Sequence, residues 1–154
     1  MVGFSVMVML ILLFSLIQIY RNLGIGIRKV SSGEKYGVHA PFSIYLGWIT
    51  VATVANITTL LVDWNWGGWG LPFNFWTATV ILLATMVGLY ILNLNNDIFY
   101  TLVLEWAFAG IIYKRHIIDP DPYPVILTTA VASSLLLLFR YFKNRASHKN
   151  PAYF

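Results

Sequence analysis

The chain has 154 residues and no cysteine, with 58% hydrophobic, 16% aromatic and only 10% charged residues. A soluble domain carries about 25% charged residues, so this composition excludes an ordinary water-soluble domain and makes lipid the expected solvent. The missing cysteine removes disulfides, thiol nucleophiles and thiolate metal sites. The formal charge of +4 is no nucleic-acid signal, because the basic residues stand in short runs at the ends of apolar segments.

Five apolar segments follow one another, at residues 2–20, 42–62, 73–94, 98–113 and 123–142. A helix crosses the hydrocarbon core with about 20 apolar residues, within a range of about 17–25. The expected fold is all-α: an integral membrane bundle of five transmembrane helices forming one domain over 1–154, with a basic C-terminal tail at 143–154. Met1 is followed by apolar residues without a positive leader or a small-residue cleavage site, so the first segment reads as a retained helix. The fourth segment is the shortest and contains Glu105, which makes it the least suited to facing lipid.

The separators have helix-ending chemistry. Pro41 suits a first helical turn, where its missing N–H is unsatisfied anyway. Asn65, Gly67, Gly68, Gly70 and Pro72 break the chain after the second segment. Asn93, Asn95, Asn96 and Asp97 end the third helix and cap the fourth. Asp119-Pro120-Asp121-Pro122 forbids continued helix before the fifth. With five spans, eight of the ten basic residues fall on one side: Arg21, Arg28, Lys29 and Lys35, then Arg140, Lys143, Arg145 and Lys149. Lys114 and Arg115 lie opposite. The positive-inside rule predicts a cell (inner) membrane protein with its N-terminus outside and its C-terminus cytoplasmic.

The second segment places Tyr45, Trp48, Ala52, Asn56 and Thr59 on one helical face. Two readings stand. One is an inward packing seam, where Ala52 and Ala55 admit a neighbouring backbone and Asn56 finds an interhelical partner. The other is the wall of a ligand cavity with Tyr45 and Trp48 as stacking surfaces. The stretch DWNWGGWG presents Trp64, Trp66 and Trp69 beside glycines, either as an interfacial aromatic belt or as a lid over a planar ligand; Trp76 suits both. Glu105 is the one charge inside a span, where a carboxylate should face the interior. It shares a face with Thr101 and Ala109, and Asn56, Thr77 or Thr85 are its expected partners. It reads as a carboxyl hydrogen-bonded between helices, or as a polar anchor or proton relay.

Tyr45, Leu46, Trp48, Ala52 and Asn56 carry a resemblance. Their spacing is similar to a helix of the tryptophan-rich sensory protein family, also called translocator protein, and VHAPFSIYLGWITVATVAN resembles the longer prokaryotic members. A looser similarity runs through the third and fourth helices, including WAFAGI at 106–111. In the familiar five-helix members the pattern belongs to the last helix, so its place on the second implies the C-terminal part of a longer prokaryotic type. The resemblance implies binding of a hydrophobic or tetrapyrrole-like ligand, such as porphyrin, haem or a sterol, in a bundle that often forms a homodimer. The expected ligand contacts are Tyr45, Trp48, Ala52, Asn56, Trp64, Trp66, Trp69, Glu105 and Trp106.

Other signals are weaker. His39, His116 and His148 lie at segment ends or in the tail, without the i, i+4 spacing of a helical metal site. No histidine accompanies a nucleophile elbow, and Gly24 and Gly26 do not follow a strand as a phosphate loop would. Leu138, Tyr141 and Lys143 meet a loose cholesterol-contact pattern of little specificity. The expectation is a non-enzymatic membrane binding or sensory protein without a metal, whose partners are lipid and a hydrophobic small molecule. The alternatives are a small structural subunit of a larger membrane complex and a fragment of a proton-coupled transporter.

Overall fold

Long runs of Leu, Ile, Val and Phe leave a backbone in lipid no polar partner but itself, and the helix satisfies that demand within one segment. A computed structural model describes residues 2–118, 120 and 124–148, the side chains of 147 and 148 excepted. Its described residues form five helices: α1 (Val2–Leu23), α2 (Ser32–Asp63), α3 (Phe73–Asn95), α4 (Ile98–Tyr113) and α5 (Val125–His148). Four of them, α1, α2, α3 and α5, are long and apolar enough to cross a membrane. The protein is thus an all-α, multi-pass integral membrane bundle.

The helices run past the apolar windows where local chemistry allows it. α2 begins at Ser32, well before residue 42, because Ser31 Oγ accepts the Glu34 amide at 3.2 Å and nucleates the turn. Pro41 then falls inside a continuous helix instead of at its start. The wider π-type turn at Lys35–His39 accommodates it: the Ala40 amide donates to Lys35 O, five residues back. At the other end, residues 143–148 continue α5 as helix where a tail was expected. The remaining tail, 149–154, lies outside the described residues, as do Asp119, Asp121, Pro122 and Tyr123 of the breaker before α5.

α1 packs on α2, α2 on α4, α4 on both α3 and α5, and α3 on α5. α4 is therefore the interior helix, burying Tyr100, Thr101, Val103, Leu104 and Phe108. Its 16 α-helical residues run without a break into a π-type turn at Lys114–Ile118, and while one side is buried against its neighbours, Leu102, Trp106 and Tyr113 leave the other exposed. Three helices converge at Gly88 of α3. A Cβ there would stand 2.5 Å from Leu104 Cδ1 and 3.2 Å from Leu137 Cδ2, so any larger residue must displace the ends of both leucines.

Up-down topology sorts the connections between two ends. The α1–α2 connection, the α3–α4 junction and the C-terminal turns of α5 gather at one, the basic end. The tryptophan loop and the α4–α5 connection lie at the other.

Candidate functional site

Asp97 is the anchor of the basic end. As the N-cap of α4, its Oδ1 accepts the Phe99 amide at 3.0 Å and the Tyr100 amide at 3.4 Å. Its Oδ2 accepts the Tyr20 hydroxyl of α1 at 2.8 Å and the Ser43 hydroxyl of α2. One carboxylate, only 4% exposed, thereby ties three helices together. Next to it Asn96, in the left-handed region at φ 48°, ends α3. Asn95 reaches back, its Nδ2 donating to Ile25 O at 2.7 Å. That bond pins the α1–α2 connection, and Gly26 (φ +80°) runs so close that a Cβ there would collide with the Asn95 carbonyl.

Two clefts flank this pinned connection and share Ile25 and Asn95 as a common wall. The first, of about 560 Å³, lies between α1, α2 and α3. Ile17, Ile25, Ile27, Leu46, Val87, Ile91 and Leu94 make it apolar, while Tyr20, Arg21, Tyr90 and Asn95 supply polar groups. The volume falls within the roughly 300–1,000 Å³ of small-molecule sites, and so does the character of an apolar wall with a few polar groups. The second, of about 490 Å³, is the more polar of the two; Arg28, Lys29, Lys35, His39 and Asp97 line it beside Val30, Ile98 and Phe99.

None of the nine residues expected to contact ligand lines either cleft. The expected inward seam of α2 turns out to be its outer face at Tyr45 and Trp48, which are 44% and 53% exposed. The side of α2 that meets the bundle is roughly opposite and built from Ser43, Leu46, Gly47, Ile49 and Thr53. Small and hydroxyl-bearing residues let helices approach closely in lipid, so they, and not the aromatics, take the interior. Asn56 lies at the edge of this face. It accepts the Ser5 hydroxyl of α1 at 3.1 Å and donates to Ala52 O at 3.0 Å, so it does hold an interhelical partner.

Glu105 accepts the hydroxyl of Ser134 on α5, in place of the expected Asn56, Thr77 or Thr85. Its other oxygen is buried without a hydrogen-bond partner. Trp106, the next residue, points away and is 73% exposed. Thr101 shares the buried side of α4, whereas Ala109 is exposed.

At the opposite end, Trp66, Trp69 and Trp76 pack edge to face with centroids 4.9–5.5 Å apart, and Phe75 joins Trp76 at 5.6 Å. Trp76 Nε1 donates to Gly68 O at 3.0 Å, closing the loop on α3. Trp69 carries φ 53°, a left-handed conformation costing about 1–2 kcal/mol, which the ring contacts offset. Trp64 is exposed and outside this cluster. The aromatic loop is thus separated by the length of the bundle from both clefts.

Sequence reasoning missed the Tyr20–Ser43–Asp97 anchor and both clefts. Asp97 was legible as a cap, but its partners are 77 and 54 residues away, and no local pattern signals them. Among the described residues, no group of three His, Asp or Glu could hold a metal ion. No curated protein and no solved structure matches the chain. A family model described as TSPO-like protein matches residues 1–142, and the chain belongs to that TSPO-like family.

Proposed function

We propose that the protein binds a hydrophobic or tetrapyrrole-like ligand reversibly, as a sensor or carrier without chemistry on the ligand. The carrying observation is the apolar cleft between α1, α2 and α3, with Arg21, Tyr20 and Asn95 at its polar edge. An apolar body would bury against Leu46, Val87 and Ile91, and an acidic substituent would meet the Arg21 guanidinium. Tyr45, Trp48 and the tryptophan loop then act outside the cleft, on lipid, on a second copy of the chain, or on a partner. We also take the basic end as cytoplasmic, on the charge asymmetry.

The test is a titration of the purified protein with protoporphyrin, followed by Trp fluorescence quenching and the Soret band. Saturable binding that weakens in Val87→Trp and Arg21→Ala supports the reading. No binding, or binding indifferent to both substitutions, overturns it. A second reading, a subunit of a larger membrane complex, is favoured by the uncovered Tyr45 and Trp48 face. A stoichiometric partner retained through purification and lost in Trp48→Ala would carry it.

A further inference from the structure

The polar cleft lies outside the proposed ligand site, and its lining has a different chemistry. Arg28, Lys29 and Lys35 line it, against the single carboxylate of Asp97. That carboxylate is already engaged by two hydroxyls and two amides. Among the described residues, neither the Arg28 guanidinium nor the Lys29 ammonium has a hydrogen-bond or ion-pair partner. The lining therefore holds an excess of unneutralised positive charge.

His39 supplies the second, independent observation. It belongs to the same wall, is 4% exposed, and its Nε2 is buried without a hydrogen-bond partner. The nearest acidic oxygen, Glu34 Oε1, is 3.9 Å away, beyond hydrogen-bond length. A buried polar atom without a partner is uncommon in folded proteins and calls for an explanation.

The connection that carries Arg28 is also held in place. The Arg28 and Ile27 amides donate to Gly24 O at 2.9 and 3.0 Å, and Asn95 fixes Ile25 from across the cleft. A site whose backbone is pinned before binding loses less conformational entropy when a ligand arrives.

We infer that this cleft binds a phosphate group at the membrane surface, with Arg28, Lys29 and Lys35 neutralising it and the unpartnered His39 imidazole turning out of the wall to add a polar contact. A guanidinium offers paired N–H donors to phosphate oxygens, and the lysines add compact charge. The phosphate is that of an acidic phospholipid or of a soluble phosphate compound. Basic pockets between membrane helices are a recurrent way of holding headgroups.

The experiment uses the full chain in phosphatidylcholine nanodiscs, with and without phosphatidic acid, and in parallel with inorganic phosphate alone. Native mass spectrometry counts retained acidic lipid, and phosphorus NMR follows inorganic phosphate. One phosphate group should bind per chain, with affinity reduced about thirtyfold in Arg28→Ala/Lys29→Ala, for two contacts at about 1 kcal/mol each. Lys143→Ala/Arg145→Ala, at the same end but on α5, should leave it unchanged. His39→Gln, which retains a hydrogen-bonding group, should bind better than His39→Leu, with circular dichroism confirming that both remain folded. If His39→Leu does not fold, the Arg28/Lys29 comparison decides alone. Binding of phosphatidic acid but not inorganic phosphate identifies a headgroup site; binding of inorganic phosphate with the same variant dependence identifies a soluble ligand. Absence of binding to either probe, or equal losses in the α1–α2 and α5 variants, overturns the proposal.

Discussion

The two ends of the bundle are organised on different principles. At the tryptophan end, Trp66, Trp69, Trp76 and Phe75 are neighbours in sequence as well as in space, closed by the Trp76–Gly68 hydrogen bond. At the basic end, Tyr20, Ser43 and Asp97 come from three helices and meet only in the folded chain. Local aromatic packing can form as soon as its loop does. A buried carboxylate shared among helices is satisfied only when all of them are in place. The basic end should therefore report on global assembly, and the tryptophan end on its own loop.

The strongest way to break that contrast is Asp97→Ala. It strands the Tyr20 and Ser43 hydroxyls and uncaps α4, and a buried group left unsatisfied costs about 1–3 kcal/mol. The expected loss is roughly 3–5 kcal/mol in unfolding by sodium dodecyl sulfate, with α1 and α2 loosening together. A loss below about 1 kcal/mol would show that the anchor is not a global one.

Gly88→Leu tests the interior independently of either end. Overpacking typically costs about 1–3 kcal/mol, and the two leucines facing Gly88 are on different helices. Reduced thermal stability, with Gly88→Ala milder than Gly88→Leu, is the expected order. Equal stability of both variants and the parent would mean that the three helices do not converge there as described.

Ser134→Ala removes the one described partner of Glu105. Interhelical hydrogen bonds in membranes average about 0.6 kcal/mol and reach about 1.7, so a loss within that range is expected. Glu105→Gln should have a similar effect and leave any proton flux in reconstituted vesicles unchanged. A flux that disappears in Glu105→Gln while folding persists would restore the relay reading.

The effects at the tryptophans are the most local, and they sharpen the contrast most. Trp66→Ala removes ring contacts worth about 0.5–1.5 kcal/mol per pair, and hydrogen exchange should rise in the loop and first turn of α3 without spreading to the Asp97 anchor. Trp48→Ala, on the outer face of α2, should change stability by about 0.5 kcal/mol or less. A larger loss in the isolated chain would mean that Trp48 has a covered contact after all.

Much of the architecture was readable from residue types. The apolar runs announced five helices, and Asp97 after Asn96 was recognisable as a junction because short polar side chains cap helix ends. Glu105 was legible as an interior group, since a carboxylate facing lipid is costly. Its partner was not, because periodicity places a residue on a face without saying which helix covers that face.

The Tyr45, Trp48 and Asn56 line shows the same limit more sharply. Spacing established that the three share a side of α2, and the family resemblance on those residues agrees with the family that the chain belongs to. Which side turns inward was decided by the competing row of Ser43, Gly47 and Thr53, whose small size allows close helix approach. In water, hydrophobicity would have sorted the two faces. In lipid both are acceptable to the solvent, so the sequence by itself determined helix number, helix chemistry and the gathering of positive charge at one end. Only the tertiary structure decided which faces meet, that Asp97 joins three helices, and that the clefts open beside the pinned α1–α2 connection.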